Sequence, residues 1–162
     1  MNLQSPLLIV ADLTKLSEIL QAIQTCGFSN ILGYLEGGFE DWIKNKGETS
    51  HFSPIETEKF KGLYESKTQE LCILDVRNKP ELELGVIPKA LLVNLKELER
   101  EIVDGKLDAL KNKHVYVYCG LGPRSMIGSS ILKKYGFNEV SYIVGGWKKM
   151  VETGLDSIKP KI

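Results

Sequence analysis

Short apolar runs alternate with amphipathic stretches along the whole chain. The runs PLLIVAD, NILGYL, ELCILDVR, ALLVNL, HVYVYC and EVSYIV are rich in branched and aromatic residues and too short for helices. They read as strands. Between them, TKLSEILQAIQTCG, GGFEDWIKNKG, IETEKFKGLYESK, KELEREIV, RSMIGSSILKKYG and GGWKKMVETG carry apolar residues at helical spacing. Pro54 stands just before the third of these and reads as the lead-in to a helix. Continuously apolar strands alternating with helices predict an α/β fold, a parallel sheet with helices on both faces.

The pattern also echoes itself. GFSNILGYLEGGFEDW, from Gly27, resembles GFNEVSYIVGGWKKM, from Gly136. The two glycines lie 109 positions apart, one small domain, so the first copy reads as the C-terminal half of the same unit. Sliding by that period sets Val10 against Cys119 and Lys15 against Arg124. Residues 1–48 are therefore expected to form a truncated, catalytically inactive half-repeat, and residues 52–162 a complete domain.

At 162 residues, with 43% hydrophobic and 26% charged residues, the chain has material for one ordinary core. Lys+Arg and Asp+Glu balance at 21 each, which offers no basic footprint for nucleic acid. No apolar stretch reaches the roughly 20 residues of a membrane span, and the N-terminus lacks a signal-peptide pattern. Cys26, Cys72 and Cys119 form no C-x-x-C pair, and the chain has two histidines. Neither a disulfide framework nor a metal site is expected, and a reducing, cytoplasmic setting is.

The candidate chemistry lies in residues 119–125, CGLGPRS. A cysteine ending a parallel strand and followed by a turn into a helix occupies the position where α/β sheets bind ligands. Gly120 and Gly122 let the backbone curl, and the N–H groups of Gly120, Leu121, Gly122, Arg124 and Ser125 are candidate donors to an anion. Arg124 adds a fixed charge near the rim, and Ser125 reads as the helix N-cap. Such surroundings favour a thiolate nucleophile. A Cys–His pair is not expected: His114 begins the strand that Cys119 ends, roughly 16 Å away at about 3.3 Å per residue. Cys72, inside its own strand, and Cys26, closing a helix, read as core residues.

The spaced motifs resemble those of the rhodanese (thiosulfate sulfurtransferase) family, D-V-R-x3-E-x3-G-H-I-P-G-A and C-x-x-G-x-R-S. Asp75, Val76, Arg77, Glu81, Gly85, Ile87, Pro88 and Ala90 stand in register, as do Cys119, Gly122, Arg124 and Ser125, and Gly145 and Gly146 match the family's closing glycine pair. Val86 and Lys89 replace the usual His and Gly, which touches substrate preference more than chemistry. More narrowly, the chain resembles the C-terminal region of bacterial proteins that join a metallo-β-lactamase-like domain to two rhodanese domains, and on that resemblance it is a piece of such a protein. It carries no H-x-H-x-D-H metal motif.

The resemblance implies a sulfurtransferase without cofactor or metal. Cys119 takes the sulfane sulfur of thiosulfate or a persulfide and passes it to a thiol or cyanide. Residues Gly120, Leu121, Gly122, Arg124 and Ser125 hold the substrate, and Asp75 and Arg77 support the loop rather than react. Two other readings are open: a non-catalytic rhodanese-like binding or regulatory module, and a phosphatase or arsenate reductase of the related C-x5-R type. The C-x4-R spacing here is one residue short of the latter. No nucleic acid or membrane is an expected partner. The apolar stripes of the half-repeat (Leu16, Ile19, Leu20 and Ile23; Phe39, Trp42 and Ile43) predict a partner surface, with a homodimer through that segment as one form.

Overall fold

The computed structural model describes residues 3–68 and 70–160. They fall into two compact units, residues 1–50 and 51–162.

After β1 (Leu7–Ile9), α1 (Leu16–Thr25), β2 (Ile31–Tyr34) and α2 (Gly38–Lys44) of the first, the second unit holds β3 (Ser53–Ile55), α3 (Thr57–Ser66), β4 (Cys72–Asp75), α4 (Lys79–Leu82), β5 (Leu91–Leu92), α5 (Leu95–Val103), β6 (His114–Tyr118), α6 (Pro123–Lys134), β7 (Glu139–Ile143) and α7 (Gly146–Glu152). Its five strands lie parallel in the order β3-β7-β6-β4-β5. Alternation along the central strands divides the core into two layers. Val115, Val117 and Leu74 pack on one face with Leu98, Ile102, Leu132 and Phe137. Tyr116, Tyr118 and Ile73 pack on the other with Phe60, Ile87, Trp147 and Met150.

Two elements differ from the sequence expectation. Pro54 lies inside β3 instead of leading into a helix, and Thr57 starts that helix. Proline is tolerated because β3 is the sheet edge and pairs with β7 alone, so the missing N–H leaves no ladder bond broken. ALLVNL contributes only Leu91–Leu92, since Val93 N–H and Leu95 N–H already turn back onto Asp75 O and Val76 O.

The first unit contains β1 (Leu7–Ile9), α1 (Leu16–Thr25), β2 (Ile31–Tyr34) and α2 (Gly38–Lys44), with β1 and β2 parallel. It repeats the β6-α6-β7-α7 half of the second unit. Along β1 and after the middle of β2 the repeat is offset by one residue from the period read in the sequence. Leu7 pairs with Ile31 but Leu8 with Gly33, so Leu32 is an extra residue in a bulge. A Cβ on Gly38 would press on Ala11 O, just as one on Gly146 would run into Cys119 O. The counterpart of Cys119 is therefore Ala11, not Val10, whereas the matching turns after α1 and α6, Phe28 N–H to Ile23 O and Phe137 N–H to Leu132 O, keep Lys15 against Arg124. Neither offers a thiol or a guanidinium.

The half-repeat lacks the cover its counterpart has. Ile9 is buried (6% exposed), but Leu8 and Val10, whose equivalents Tyr116 and Tyr118 lie in the core, are 75% and 56% exposed. With Tyr34, Leu35, Phe39 and Trp42 they line an open apolar groove. Cys26, expected in a core, is exposed at the end of α1.

Candidate functional site

Cys119 follows β6 at the C-terminal edge of the sheet, and α6 starts four residues later at Pro123. Ser125, Gly128, Ser129 and Leu132 form the buried stripe of α6. A Cβ on Gly128 would already touch Val76, Val117 and Leu98, so the helix lies close to the sheet and its N-terminus is brought up to the thiol. The Cys119 side chain is 1% exposed.

Gly122 N–H donates to Cys119 Sγ at 3.1 Å. Gly122 is also the N-cap of α6, at φ 126°, a conformation that side chains rarely adopt. Ser125 is therefore not the N-cap. It is the third helical residue, its N–H and its hydroxyl both donate to Gly122 O (3.0 and 2.6 Å), and its Oγ lies 3.9 Å from Sγ. Ser125 N–H is thus unavailable to a substrate. The N–H groups of Gly120, Leu121 and Arg124 bond no protein acceptor among the described residues.

The loop is tied down from below by α7. Trp147 N–H donates to Cys119 O at 2.7 Å and Lys148 N–H to Gly120 O at 3.1 Å. This approach requires glycine at Gly146, whose φ is +58°.

Asp75 and Arg77 form a buried pair beneath the loop. Arg77 Nη2 reaches Asp75 Oδ2 at 2.7 Å and Gly85 O at 2.7 Å, and Nη1 reaches Glu81 O at 3.2 Å. The guanidinium also stacks over Trp147, 4.3 Å from the ring centre. A charge pair this enclosed is tolerated because each of the three guanidinium nitrogens finds an acceptor. Tyr118 adds to it: burial, then the Asp75 charge, pushes its phenol well above the ordinary range.

Glu81 is the residue sequence reasoning left without a role. Its carboxylate grips Arg124 at both ends, Oε2 to Nη1 and Oε1 to Nη2, each 2.6 Å. The signal was present in the motif, four residues after Arg77, but not the partner. The Arg124 hydrogen bonds, with Asn78 N–H and the Arg77 charge assisting, bring the Glu81 carboxyl down to about 2. Arg124 is correspondingly held charged, by Glu81 first and by nearby Cys119 to a lesser degree.

Val86 and Lys89 occupy the loop below. Val86 is buried and exchanges backbone hydrogen bonds with Ile158. Lys89 adopts φ +66°, which explains why glycine suits that position, and its ammonium meets Glu70 at 3.5 Å.

The histidines lie elsewhere. His114 stacks on Tyr116 and bonds Ser141 Oγ at 2.9 Å at the opposite end of β6, and with His51 it lines a cleft there. Burial pushes the Cys72 thiol up, away from reactivity. Among the described residues no cluster of three or more His, Cys, Asp or Glu side chains is placed to hold a metal, and no helix is long and apolar enough to cross a membrane.

A cysteine-led loop between a central strand and a close-packed helix of a parallel sheet defines an α/β domain built around one thiol. The chain belongs to the rhodanese-like domain family, whose profile matches residues 56–153. It is 38% identical over 99 residues to a tRNA uridine(34) hydroxylase of Corynebacterium jeikeium, an alignment covering 59% of this chain and 31% of that protein. The chain thus spans about a third of the length of such relatives. A rhodanese-like domain protein of Staphylococcus aureus superposes with a TM-score of 0.55 at 25% identity, over 65% of this chain and 97% of its own. A thiosulfate sulfurtransferase of Pseudomonas aeruginosa shares the fold, with a TM-score of 0.56 at 22% identity over 96% of this chain and 33% of its own.

Proposed function

We propose that the protein is a sulfurtransferase that carries sulfane sulfur on Cys119. The Cys119 thiolate attacks the outer sulfur of the donor, so an Sγ–S bond forms as the donor's S–S bond breaks. Thiosulfate leaves as sulfite, and an organic persulfide leaves as a thiolate that takes up the proton of the transferred sulfur. The enzyme then holds Cys119–S–S⁻, and an acceptor thiol or cyanide removes the terminal sulfur.

The observation that carries this reading is the Gly122 N–H on Cys119 Sγ, at the end of a loop with free N–H groups at Gly120, Leu121 and Arg124. Fixed dipoles of this kind stabilise negative charge on sulfur without reorganisation during the reaction. The loop has four residues between Cys119 and Arg124, one fewer than the C-x5-R loop of the related phosphatases, and this favours a sulfur anion over a tetrahedral phosphate. Retention of Cys119, where the half-repeat has Ala11, speaks against a non-catalytic module.

The test is the mass of the purified protein before and after thiosulfate. A gain of one sulfur, removed by cyanide and absent in Cys119→Ser, is the expected result. Serine is nearly isosteric, but its hydroxyl stays protonated and cannot replace the thiolate. Substantial thiosulfate:cyanide turnover by Cys119→Ser would show that the nucleophile lies elsewhere.

A second reading places this domain in a larger reaction on uridine 34 of tRNA, as the names of its relatives suggest. Its support is the 38% identity over 99 residues. The balanced charge of 21 basic and 21 acidic residues supplies no RNA footprint from this chain itself. Salt-sensitive tRNA binding by this chain alone would favour it.

A further inference from the structure

Resting on the sulfurtransferase reading, we infer that Glu81 determines donor specificity: by occupying Arg124 it makes the loop select donors without a second anionic head, organic persulfides, over the dianion thiosulfate. The guanidinium is the one cationic side chain that belongs to the catalytic loop, and both of its terminal nitrogens are taken by Glu81 at 2.6 Å. The pair lies over Gly120, where a Cβ would stand 3.1 Å from Arg124 Nη2 and 3.2 Å from Glu81 Oε1. A side chain at position 120 would press on both partners.

Glu81 is well fixed in this place. It accepts Asn78 N–H at 3.1 Å in a capping box at the start of α4, and its backbone carbonyl holds Arg77. With its carboxyl at about 2, it stays ionised at every pH at which a thiolate reacts. A donor sulfonate must therefore compete with a bidentate carboxylate for Arg124, whereas the sulfur of a persulfide needs only the N–H groups around Cys119. The loop tip is correspondingly apolar: Leu121 is 67% exposed. Lys148, exposed beyond Gly120 O, is a hydrated charge on a flexible stem and offers a screened attraction rather than a fixed fork.

Glu81→Gln tests this, since glutamine preserves the capping box and the shape while removing the charge. In a Cys119→Ser background, which cannot turn over, thiosulfate affinity is expected to rise roughly three- to tenfold on Glu81→Gln, with a steeper salt dependence. In the Cys119 protein, KM for thiosulfate should fall by a similar factor while KM for a persulfide with an uncharged organic group, 2-hydroxyethyl persulfide, stays within about twofold. Glu81→Asp, which keeps the charge but shortens the reach, should show no gain in thiosulfate affinity. An unchanged or weaker thiosulfate affinity in Glu81→Gln overturns the inference, as does an equal gain in Glu81→Asp, which would show a loosened loop instead. The binding arm decides the point even if no variant turns over, so failure of the sulfurtransferase reading is seen separately.

Discussion

Glu81 and Arg124, 43 residues apart, meet in a doubly hydrogen-bonded ion pair with both contacts at 2.6 Å, one residue on the first short helix after β4 and the other in the first turn of α6. The pair joins the loop that follows the Asp75–Arg77 cluster to the loop that holds the nucleophile, so two neighbouring strand ends share one roof.

This pair has a pH signature. The Glu81 carboxyl falls from its ordinary 4.5 to about 2 on folding. A depressed carboxyl contributes stability that is complete above pH 4.5 and is lost as pH falls towards 2. The melting-temperature difference between the wild type and Glu81→Gln should therefore be constant near neutrality and shrink below about pH 4.5. A difference that grows on acidification would show the carboxyl is not stabilised in the folded state.

Arg124→Ala leaves the Glu81 carboxylate without its partner at the rim of the loop. A bare negative charge there repels anions, so thiosulfate should suffer more than a neutral persulfide donor, by a further factor of roughly five to ten in kcat/KM. Equal losses for the two donors would assign Arg124 a purely structural part.

Gly146→Ala should damage the loop from below. The residue sits at φ +58°, and its Cβ would run into Cys119 O. The expected cost is roughly 2–3 kcal/mol of stability, together with loss of sulfur loading. Thermal melts and the loading assay measure both. Alanine without effect would mean that the Gly145–Gly146 turn can shift without disturbing Cys119.

Removal of residues 1–50 should leave a folded, sulfur-accepting protein. The second unit covers both faces of its sheet with its own residues, Leu98 and Leu132 on one side and Phe60 and Met150 on the other. A two-stranded sheet cannot do the same for itself. A homodimer through the half-repeat, whose Leu8, Val10, Phe39 and Trp42 are exposed, predicts that the full chain self-associates and that the deletion variant does not. Sedimentation at rising concentration checks both. A full chain that stays monomeric rules out the dimer, and an unfolded deletion variant would show that the half-repeat completes the catalytic unit.

Much of this molecule is written locally. Val115, Val117, Tyr116 and Tyr118 alternate between two cores because side chains alternate along a strand, and their apolar character alone announces a sheet buried on both faces. Cys119, Gly122 and Arg124 are likewise legible, since a turn from strand to helix has its own short-range residue demands. What tertiary structure decided are the matters that depend on neighbours far along the chain. Pro54 is a strand residue because it lies at an edge, and no local pattern states which strand is outermost. Ala11 rather than Val10 stands for Cys119 because one bulged residue, Leu32, shifts a register that counting treats as uniform. Ser125 yields the cap to Gly122 because α6 begins one turn earlier than its hydroxyl suggests. Glu81 finds Arg124 only when the ends of β4 and β6 lie side by side. Sequence pattern specifies which groups can bond. Which of them do is settled by long-range packing, which brings one carboxylate to one guanidinium.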